Sequence, residues 1–206
     1  MAEFINTIDV LGDDAVIDSI IDRTITEFKD NSVTTLGSHA FYGCTALKTV
    51  DIPNVRTLNK IAYATFRGCS SLERIELWAD IIPNETFNSC SALQVGIFPC
   101  ATSINYIAFQ NCKALRLVDF HSLTALNHNP YFNFASLKHF AIRTGSVCSL
   151  AASGNFGSET LLYVPSALLD SYKGATNWSD HADRILPLES YTVDGTVTGA
   201  FDETKI

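Results

Sequence analysis

Six cysteines and five histidines are the residues of this chain with the clearest potential for metal chemistry. Cysteine thiolates and histidine rings are the usual ligands of structural zinc, and they occur in closely spaced pairs such as CxxC. This sequence contains no CxxC pair and no CxxC…HxxxH spacing; four of its cysteines are instead spread along the chain as Cys44, Cys69, Cys90 and Cys112. We therefore predict no metal site and no cofactor.

Catalytic motifs are also missing from the sequence. It has no GxSxG nucleophile elbow, no P-loop, no GxGxxG and no HExxH. His39 falls in a predicted turn, and His121 and His139 fall at outward positions of predicted strands, so they are interpreted as surface residues. We predict that the protein is not an enzyme.

The four spaced cysteines belong to an internal repeat. FYGCTAL (41–47), FRGCSSL (66–72), FNSCSAL (87–93) and FQNCKAL (109–115) share a phenylalanine, a cysteine and a leucine in register. The series of leucines continues to Leu137 with separations of 21 to 25 residues, which is the period of a leucine-rich stack. Each repeat ends in a segment such as LKTVDI or LERIEL, whose composition and alternation favour a strand.

The repeat predicts a strand-rich solenoid of the α/β type, in which each repeat forms one rung and short parallel strands stack. A rung cannot close a core alone, so the stack needs a cap at each end. We predict a helical cap at the N-terminus and a cap of helix and hairpin at the C-terminus. The predicted repeat core consists of Phe41, Cys44, Leu47, Phe66, Cys69, Leu72, Phe87, Cys90, Leu93, Phe109, Cys112 and Leu115.

The cysteines of this core are predicted to be buried free thiols, because they replace one another at one small apolar position. A disulfide between neighbouring rungs stays open as an alternative. Stacked strands lie about 4.8 Å apart, and a disulfide joins Cα atoms about 4.4 to 6.8 Å apart.

The chain divides into segments within one elongated domain, 1–206. Residues 1–31 form the N-terminal cap, with an amphipathic helix over 13–24, and 32–144 hold about five repeats. Residues 145–188 form a degenerate rung and the C-terminal cap, and 189–206 a polar, β-prone tail with a DG turn signal. A local irregularity is expected at Gly96, where the other repeats place a branched inward residue.

The repeat resembles the BspA-like leucine-rich repeat family, whose consensus is roughly I-G-x-x-A-F-x-x-C-x-x-L-x-x-I-x-I-P. The resemblance covers Ser32 to Thr144, and Tyr163 to Leu188 is similar to the segment that often closes such arrays. It implies a leucine-rich-repeat fold and a mainly non-catalytic binding protein. Family members are mainly proteins of bacterial surfaces, with relatives encoded in phages and prophages.

Charge and hydropathy exclude two classes of partner. The net charge is -8, and the sequence lacks the clustered basic residues that nucleic-acid binding requires. The N-terminus shows neither a signal peptide nor a membrane-spanning run, so we predict no membrane insertion. This favours a location in a virion, or in the cytoplasm before assembly. A cell-surface or secreted location is the alternative, if an export signal has been removed.

The outward strand positions predict a partner-binding face. Alternation places Trp78, Val95, Ile97 and Leu117 as neighbours across adjacent rungs, and an aromatic anchor within a polar rim is typical of protein contacts. The flanking residues of the predicted site are Arg74, Arg116, Asp119, His121 and His139. The alternative is that the protein's own loops cover these residues.

The function predicted from these observations is a non-enzymatic protein-interaction and recognition module, as a phage or prophage virion component associated with the tail. The alternative is a bacterial surface or secreted leucine-rich-repeat adhesin that binds a host protein or a glycan. The tail after Glu189 is a candidate contact for a homo-oligomer.

Overall fold

The computed structural model describes residues 10–11, 23–58, 63–126, 136–151, 156–190, 192–193 and 196–197. Strands are numbered in chain order. One face, called here the long-strand face, contains β2 (Glu27–Lys29), β4 (Thr49–Asp51), β6 (Arg74–Glu76), β8 (Val95–Phe98), β10 (Leu117–Phe120), β12 (His139–Ile142), β14 (Leu161–Val164) and β15 (Ile185–Pro187).

A second face, the short-strand face, contains β1 (Val10–Leu11), β3 (Thr35–Leu36), β5 (Thr57–Leu58), β7 (Ile81–Ile82), β9 (Ser103–Ile104), β11 (Ala125–Leu126) and β13 (Ser149–Leu150). The pairs within both faces are parallel, and sequential rungs pair in order, as in β6-β8-β10-β12-β14-β15. The predicted solenoid of parallel short strands is confirmed. The helix predicted over 13–24 lies mostly outside the described residues, which resume at Arg23.

The residues of the predicted repeat core lie inside the solenoid. All twelve side chains of the phenylalanine, cysteine and leucine positions are 0% exposed. Phe66 stacks between Phe41 and Phe87, with ring centroids 5.0 and 5.5 Å apart, and Phe109 continues the stack 5.3 Å beyond Phe87. Because each ring contacts the ring of the next rung, the phenylalanines form one continuous apolar column.

A third ladder of backbone hydrogen bonds joins the rungs at the turns that precede each cysteine; we call this side the turn edge. Phe41 N donates to Thr65 O, and Phe66 N to Thr86 O, both at 2.8 Å. The left-handed backbone recurs there in two columns: His39, Ala64, Glu85 and Ile107 at φ 59°, 57°, 56° and 49°, and Gly43, Gly68, Ser89 and Asn111 at φ 71°, 77°, 65° and 62°. Glycine and asparagine suit this conformation, whereas a β-branched residue such as Ile107 adopts it at a cost.

The irregularity predicted at Gly96 is wrong. Gly96 pairs in register with Ile75 on one side and Val118 on the other, within an uninterrupted strand. A Cβ atom at this position would lie 2.8 Å from Cε2 and 2.9 Å from Cζ of Phe98. The ring of Phe98 therefore fills the space that a branched side chain takes in other rungs.

We expect Gly96→Ala to destabilise the fold by about 1 to 3 kcal/mol, as overpacking of a filled core does. Gly145→Ala is the matched control, because nothing lies within 4 Å of a Cβ atom built at Gly145. Urea unfolding followed by circular dichroism measures both. If the two variants were equally stable, the close approach of Phe98 would not be what requires glycine at position 96.

The C-terminal cap agrees with its prediction. After Pro165, a 3-10 turn leads into helix α1 (Leu169–Gly174). Trp178 is 1% exposed, and its Nε1 donates to Cys148 O at 2.7 Å, so the indole closes the end of the core. In the tail, β16 (Thr192–Val193) and β17 (Thr196–Val197) pair antiparallel, which confirms a hairpin.

Candidate binding surfaces

The structure aligns the outward residues of the long-strand face as the alternation predicts. Val95 pairs with Arg74 on one side and Leu117 on the other. Ile97 pairs in the same way with Glu76 and Asp119. The predicted site residues on β6, β8, β10 and β12 are therefore brought together.

The prediction that Val95, Ile97 and Leu117 form an exposed apolar patch is wrong. Val95, Ile97 and Leu117 are 4%, 3% and 0% exposed. They belong to a second hydrophobic cluster outside the main core, together with Ala141 and Tyr163. That they bind a partner stays a prediction.

The remaining predicted site residues have varied surroundings. Arg74 is exposed, whereas Arg116, His121 and His139 are partly buried. Trp78 is also partly buried, with the guanidinium carbon of Arg56 5.2 Å from the centre of its ring. The indole is therefore a less accessible anchor than the sequence predicts.

The second cluster also contains residues that the sequence analysis did not include in the site. Leu161, Leu186 and Leu188 are partly buried and pack against it. Leu161, Tyr163 and Leu186 continue the outward columns of the earlier rungs. In the sequence, this continuation of apolar outward residues into the C-terminal cap is the feature that could have predicted a buried outward face.

One buried charge lies on the long-strand face. Asp119 is 0% exposed, and Arg143 donates to it from Nε at 3.0 Å to each carboxylate oxygen and from Nη2 at 2.7 Å. His121 Nε2 lies 3.6 Å from Oδ2 of the same carboxylate. Burial, and then the charges of Arg116 and Lys138, lower the pKa of His139 to about 4, so its ring is neutral at pH 7.

The turn edge presents the exposed aromatic residues. Among the described residues, the exposed large apolar side chains are Tyr42, Tyr63 and Tyr106, at 36%, 47% and 49%. The ring of His39 lies 5.1 Å from that of Tyr42 and 4.5 Å from that of Tyr63, in edge contacts. Tyr106 follows two rungs after Tyr63 in the same column, a distance of roughly 10 Å.

Planar polar groups continue this edge. The guanidinium carbon of Arg67 lies 6.0 Å from the centre of the Tyr42 ring, and the same guanidinium forms an ion pair with Glu85. In the next rungs, Asn88 Nδ2 donates to Gln110 Oε1 at 3.1 Å. The turn edge was not among the predicted sites, because the predicted partner face rests on the outward strand positions alone.

The family model described as "BspA type Leucine rich repeat region" matches residues 22–138 with six copies, more than half of the chain. The chain belongs to this BspA-type leucine-rich repeat family. The match agrees with the resemblance seen in the phenylalanine, cysteine and leucine positions of the sequence.

A solved structure shares the fold of this BspA-type chain. It is titled a leucine rich cell surface protein from Faecalibacterium prausnitzii A2-165, with 24% identity and a TM-score of 0.59. The similarity covers 76% of this chain and 43% of that one, so the chain spans less than half of the similar protein. A comparison with curated proteins found no significant match.

The cysteines of the BspA-type rungs are free thiols that contact the preceding rung. The Sγ atoms of Cys69, Cys90 and Cys112 donate to Phe41 O, Phe66 O and Phe87 O at 3.1, 3.0 and 3.1 Å. All six cysteines are free, and five are buried; Cys100 is partly exposed. Burial raises the pKa of the Cys112 and Cys148 thiols to about 12, which suppresses the reactive thiolate.

We expect a thiol reagent at pH 8 to label one cysteine of the native protein rapidly and all six after denaturation. The fast site should be Cys100, since the other five are buried. Cys100→Ser is the control and should abolish fast labelling. Rapid native labelling of Cys44, Cys69, Cys90 or Cys112 would contradict their assignment to the core.

The described residues contain neither a metal-binding group nor a membrane-spanning helix. In that part of the chain, no three His, Cys, Asp or Glu side chains are grouped so that they could hold a metal ion. The described helices also include none that is long and apolar enough to cross a membrane.

Proposed function

We propose that this BspA-type chain is a non-enzymatic recognition module of a bacterial cell surface and that it binds a protein partner through the turn edge. The observation that carries the proposal is the exposed cluster of Tyr42, Tyr63 and Tyr106. Leucine-rich repeats of this type are typically protein-binding units, and the absence of enzymatic activity stays a prediction.

The three tyrosines are not needed for stacking. The positions equivalent to Tyr42 in the next rungs are held by Arg67, Asn88 and Gln110, all of which continue the solenoid. Tyr63 and Tyr106 alternate with Ser38 and Asn84 in their column in the same way. An aromatic side chain that packing does not require, and that stays exposed, is available for a partner.

The chemistry of the turn edge fits a protein partner. Tyrosine gives a large contact area with few rotatable bonds, and tyrosine and arginine are enriched at the centres of protein interfaces. Arg67, Glu85 and Gln110 are only partly buried and supply hydrogen-bonding groups beside the rings. The predicted long-strand site is a weaker candidate, because its apolar residues are buried.

The bacterial surface is the location that the similar proteins favour. The similar solved structure is described as a cell surface protein, although this chain covers only 43% of it. Neither the family nor that structure supports the interpretation as a virion component. The alternative of a surface or secreted leucine-rich-repeat protein fits both better.

The test compares two triple variants against panels of purified host extracellular proteins and of glycans. Tyr42→Ala/Tyr63→Ala/Tyr106→Ala removes the exposed rings, and Thr49→Ala/Arg74→Ala/Glu76→Ala is the control on exposed long-strand positions. We expect at least one protein to bind the wild type and the control alike. The tyrosine variant should bind it at least thirtyfold more weakly, about 2 kcal/mol.

Melting temperatures of both variants establish that each stays folded. Equal affinity of the tyrosine variant and the wild type would overturn the turn edge as the site. Binding to glycans alone would overturn the protein partner. Antibody labelling of intact cells of the native source tests the location, and labelling only after lysis would contradict a surface protein.

A further inference from the structure

Two exposed tyrosines of the turn edge lie in one column along the stack. Tyr63, Asn84 and Tyr106 occupy equivalent positions in three successive rungs. The two tyrosines are 47% and 49% exposed. Neighbouring rungs lie about 4.8 Å apart, so the tyrosines are separated by about 9.6 Å. A ligand that contacts both rings must therefore present two groups at this interval, in the direction of the stack.

The rung between the two tyrosines presents a polar group. The side chain of Asn84 is exposed, and its amide makes no hydrogen bond to the described residues. The hydroxyl group of Tyr63 also has no hydrogen-bond partner in that part of the chain. Both groups can donate to a carbonyl oxygen. The column therefore combines two rings with hydrogen-bond donors that a ligand can reach.

The polyproline II conformation repeats at the interval between the two tyrosines. It has three residues per turn and rises about 3.1 Å per residue, so every third side chain returns to the same side after about 9.3 Å. Its backbone forms no internal hydrogen bonds, which leaves the carbonyl oxygens available as acceptors. A segment of this kind that runs along the stack can contact both rings and accept a hydrogen bond from Asn84.

Other peptide conformations fit the column less well. Residues on one side of an extended strand recur every 6.6 to 6.8 Å, roughly, which matches neither one rung nor two. Residues on one face of an α-helix recur about every 5.4 Å. A helix would therefore place an anchor opposite Asn84, where the column has a polar side chain and no ring.

The charges beside the column favour an uncharged ligand. Arg67 and Glu85 form an ion pair with each other, so neither requires a charged partner. A glycan presents many hydroxyl donors and needs acceptors, and the carboxylate of Glu85 is already occupied by Arg67. The available groups are rings and donors, which suit an apolar peptide with free carbonyl oxygens.

We propose that the turn edge binds a proline-rich segment of its protein partner in the polyproline II conformation, with a P-x-x-P spacing. This rests on the function proposed above and specifies the chemistry of the partner. One proline packs against Tyr63 and the next against Tyr106, while Asn84 donates to a carbonyl oxygen between them. Such segments dock in aromatic-lined sites because their rigid chain loses little entropy on binding.

Titration of the isotope-labelled full chain with short peptides, followed by nuclear magnetic resonance, tests the proposal. Decaproline is the first probe. The second has proline at every third position and alanine elsewhere, and its control has the same number of prolines at every fourth position. We expect the first two peptides to shift the amide signals of Tyr63, Asn84 and Tyr106, while those of Thr49 and Asp51 stay unchanged. The control peptide should bind about tenfold more weakly than the second probe.

Variants locate the bound peptide. Tyr63→Ala/Tyr106→Ala should weaken the binding of decaproline by about tenfold or more, because both rings of the column are lost. Tyr42→Ala is the matched control: it removes an exposed tyrosine of the same edge that lies outside the column. It should change the affinity by about threefold at most.

Three results would overturn the proposal. The first is the absence of any shift with decaproline at millimolar concentration. The second is equal affinity for the two spaced peptides. The third is unchanged affinity of the Tyr63→Ala/Tyr106→Ala variant for decaproline.

Competition separates this proposal from the proposed function. If a protein of the panel needs the three tyrosines but is not displaced by decaproline, the turn edge is still the protein site and the proline-rich segment is wrong. If decaproline binds at Tyr63 and Tyr106 while the tyrosine variant keeps its affinity for that protein, the proline-rich chemistry of the column is supported and the proposed protein site is wrong.

Discussion

Phe66→Ala is expected to lower the free energy of unfolding by about 3 to 5 kcal/mol, the range for large-to-small changes at buried aromatic positions. Phe66 is 0% exposed and stacks on Phe41 and Phe87 at 5.0 and 5.5 Å, so its removal leaves a cavity between two rungs. The backbone ladder holds these rungs at fixed spacing, which limits how far the neighbouring rings can close the gap.

Urea unfolding followed by circular dichroism measures the change, with Tyr106→Ala as the control. Tyr106 is an aromatic residue of the same turn edge but is 49% exposed, so its loss should cost no more than about 0.5 kcal/mol. A loss below about 1 kcal/mol for Phe66→Ala would mean that the phenylalanine column is not the centre of the core. We also expect the loss of stability to extend beyond one rung. Each rung buries its apolar residues against its neighbours, so a cavity in one rung weakens its contacts with both.

The repeat core could be predicted because its physical requirement recurs. Phe41, Phe66, Phe87 and Phe109 occupy one position in successive rungs, and a buried position repeated in register accepts only similar side chains. The strand pairing followed from the same alignment. Alternation with period two then fixed which residues point outwards, and the observed pairs of Val95 with Arg74 and Leu117 agree.

Gly96 shows where reasoning from single positions fails. A glycine in a strand usually marks a bulge or a missing side chain, which is why an irregularity was expected at Gly96. The space above Gly96 is filled by Phe98, a residue two positions later on the same side of the same strand. Compensation of this kind depends on the rotamer of a neighbour, which the sequence pattern does not contain.

The exposure of the partner face was predicted wrongly for a different reason. Alternation determines the side of the sheet on which Leu117 lies, but not what lies above that side. The second cluster joins strands β8 and β10 to Tyr163 and Leu186, which are distant in sequence. Tyr63 and Tyr106 were missed because their column alternates aromatic and polar residues from rung to rung, and Tyr42 because the equivalent positions in the next rungs are polar.

Removal of Arg143 is expected to be as damaging as the loss of a core ring. Asp119 is 0% exposed. The guanidinium of Arg143 donates three hydrogen bonds to the carboxylate of Asp119. Breaking a buried ion pair by removing one partner costs about 3 to 5 kcal/mol, because the remaining charge stays buried without compensation. We therefore expect Arg143→Met to lose that much stability at pH 7.

The decisive comparison is the double variant Asp119→Leu/Arg143→Met. A buried ion pair replaced by apolar residues of similar volume is often neutral or stabilising, and the outward neighbours Ile97 and Ala141 already provide an apolar setting. We expect the double variant to recover most of the stability lost in Arg143→Met. Chemical denaturation of the wild type, both single variants and the double variant gives the coupling energy. If the double variant were no more stable than Arg143→Met, the stability lost in Arg143→Met would come from the packing of the arginine side chain and not from the unpaired carboxylate of Asp119.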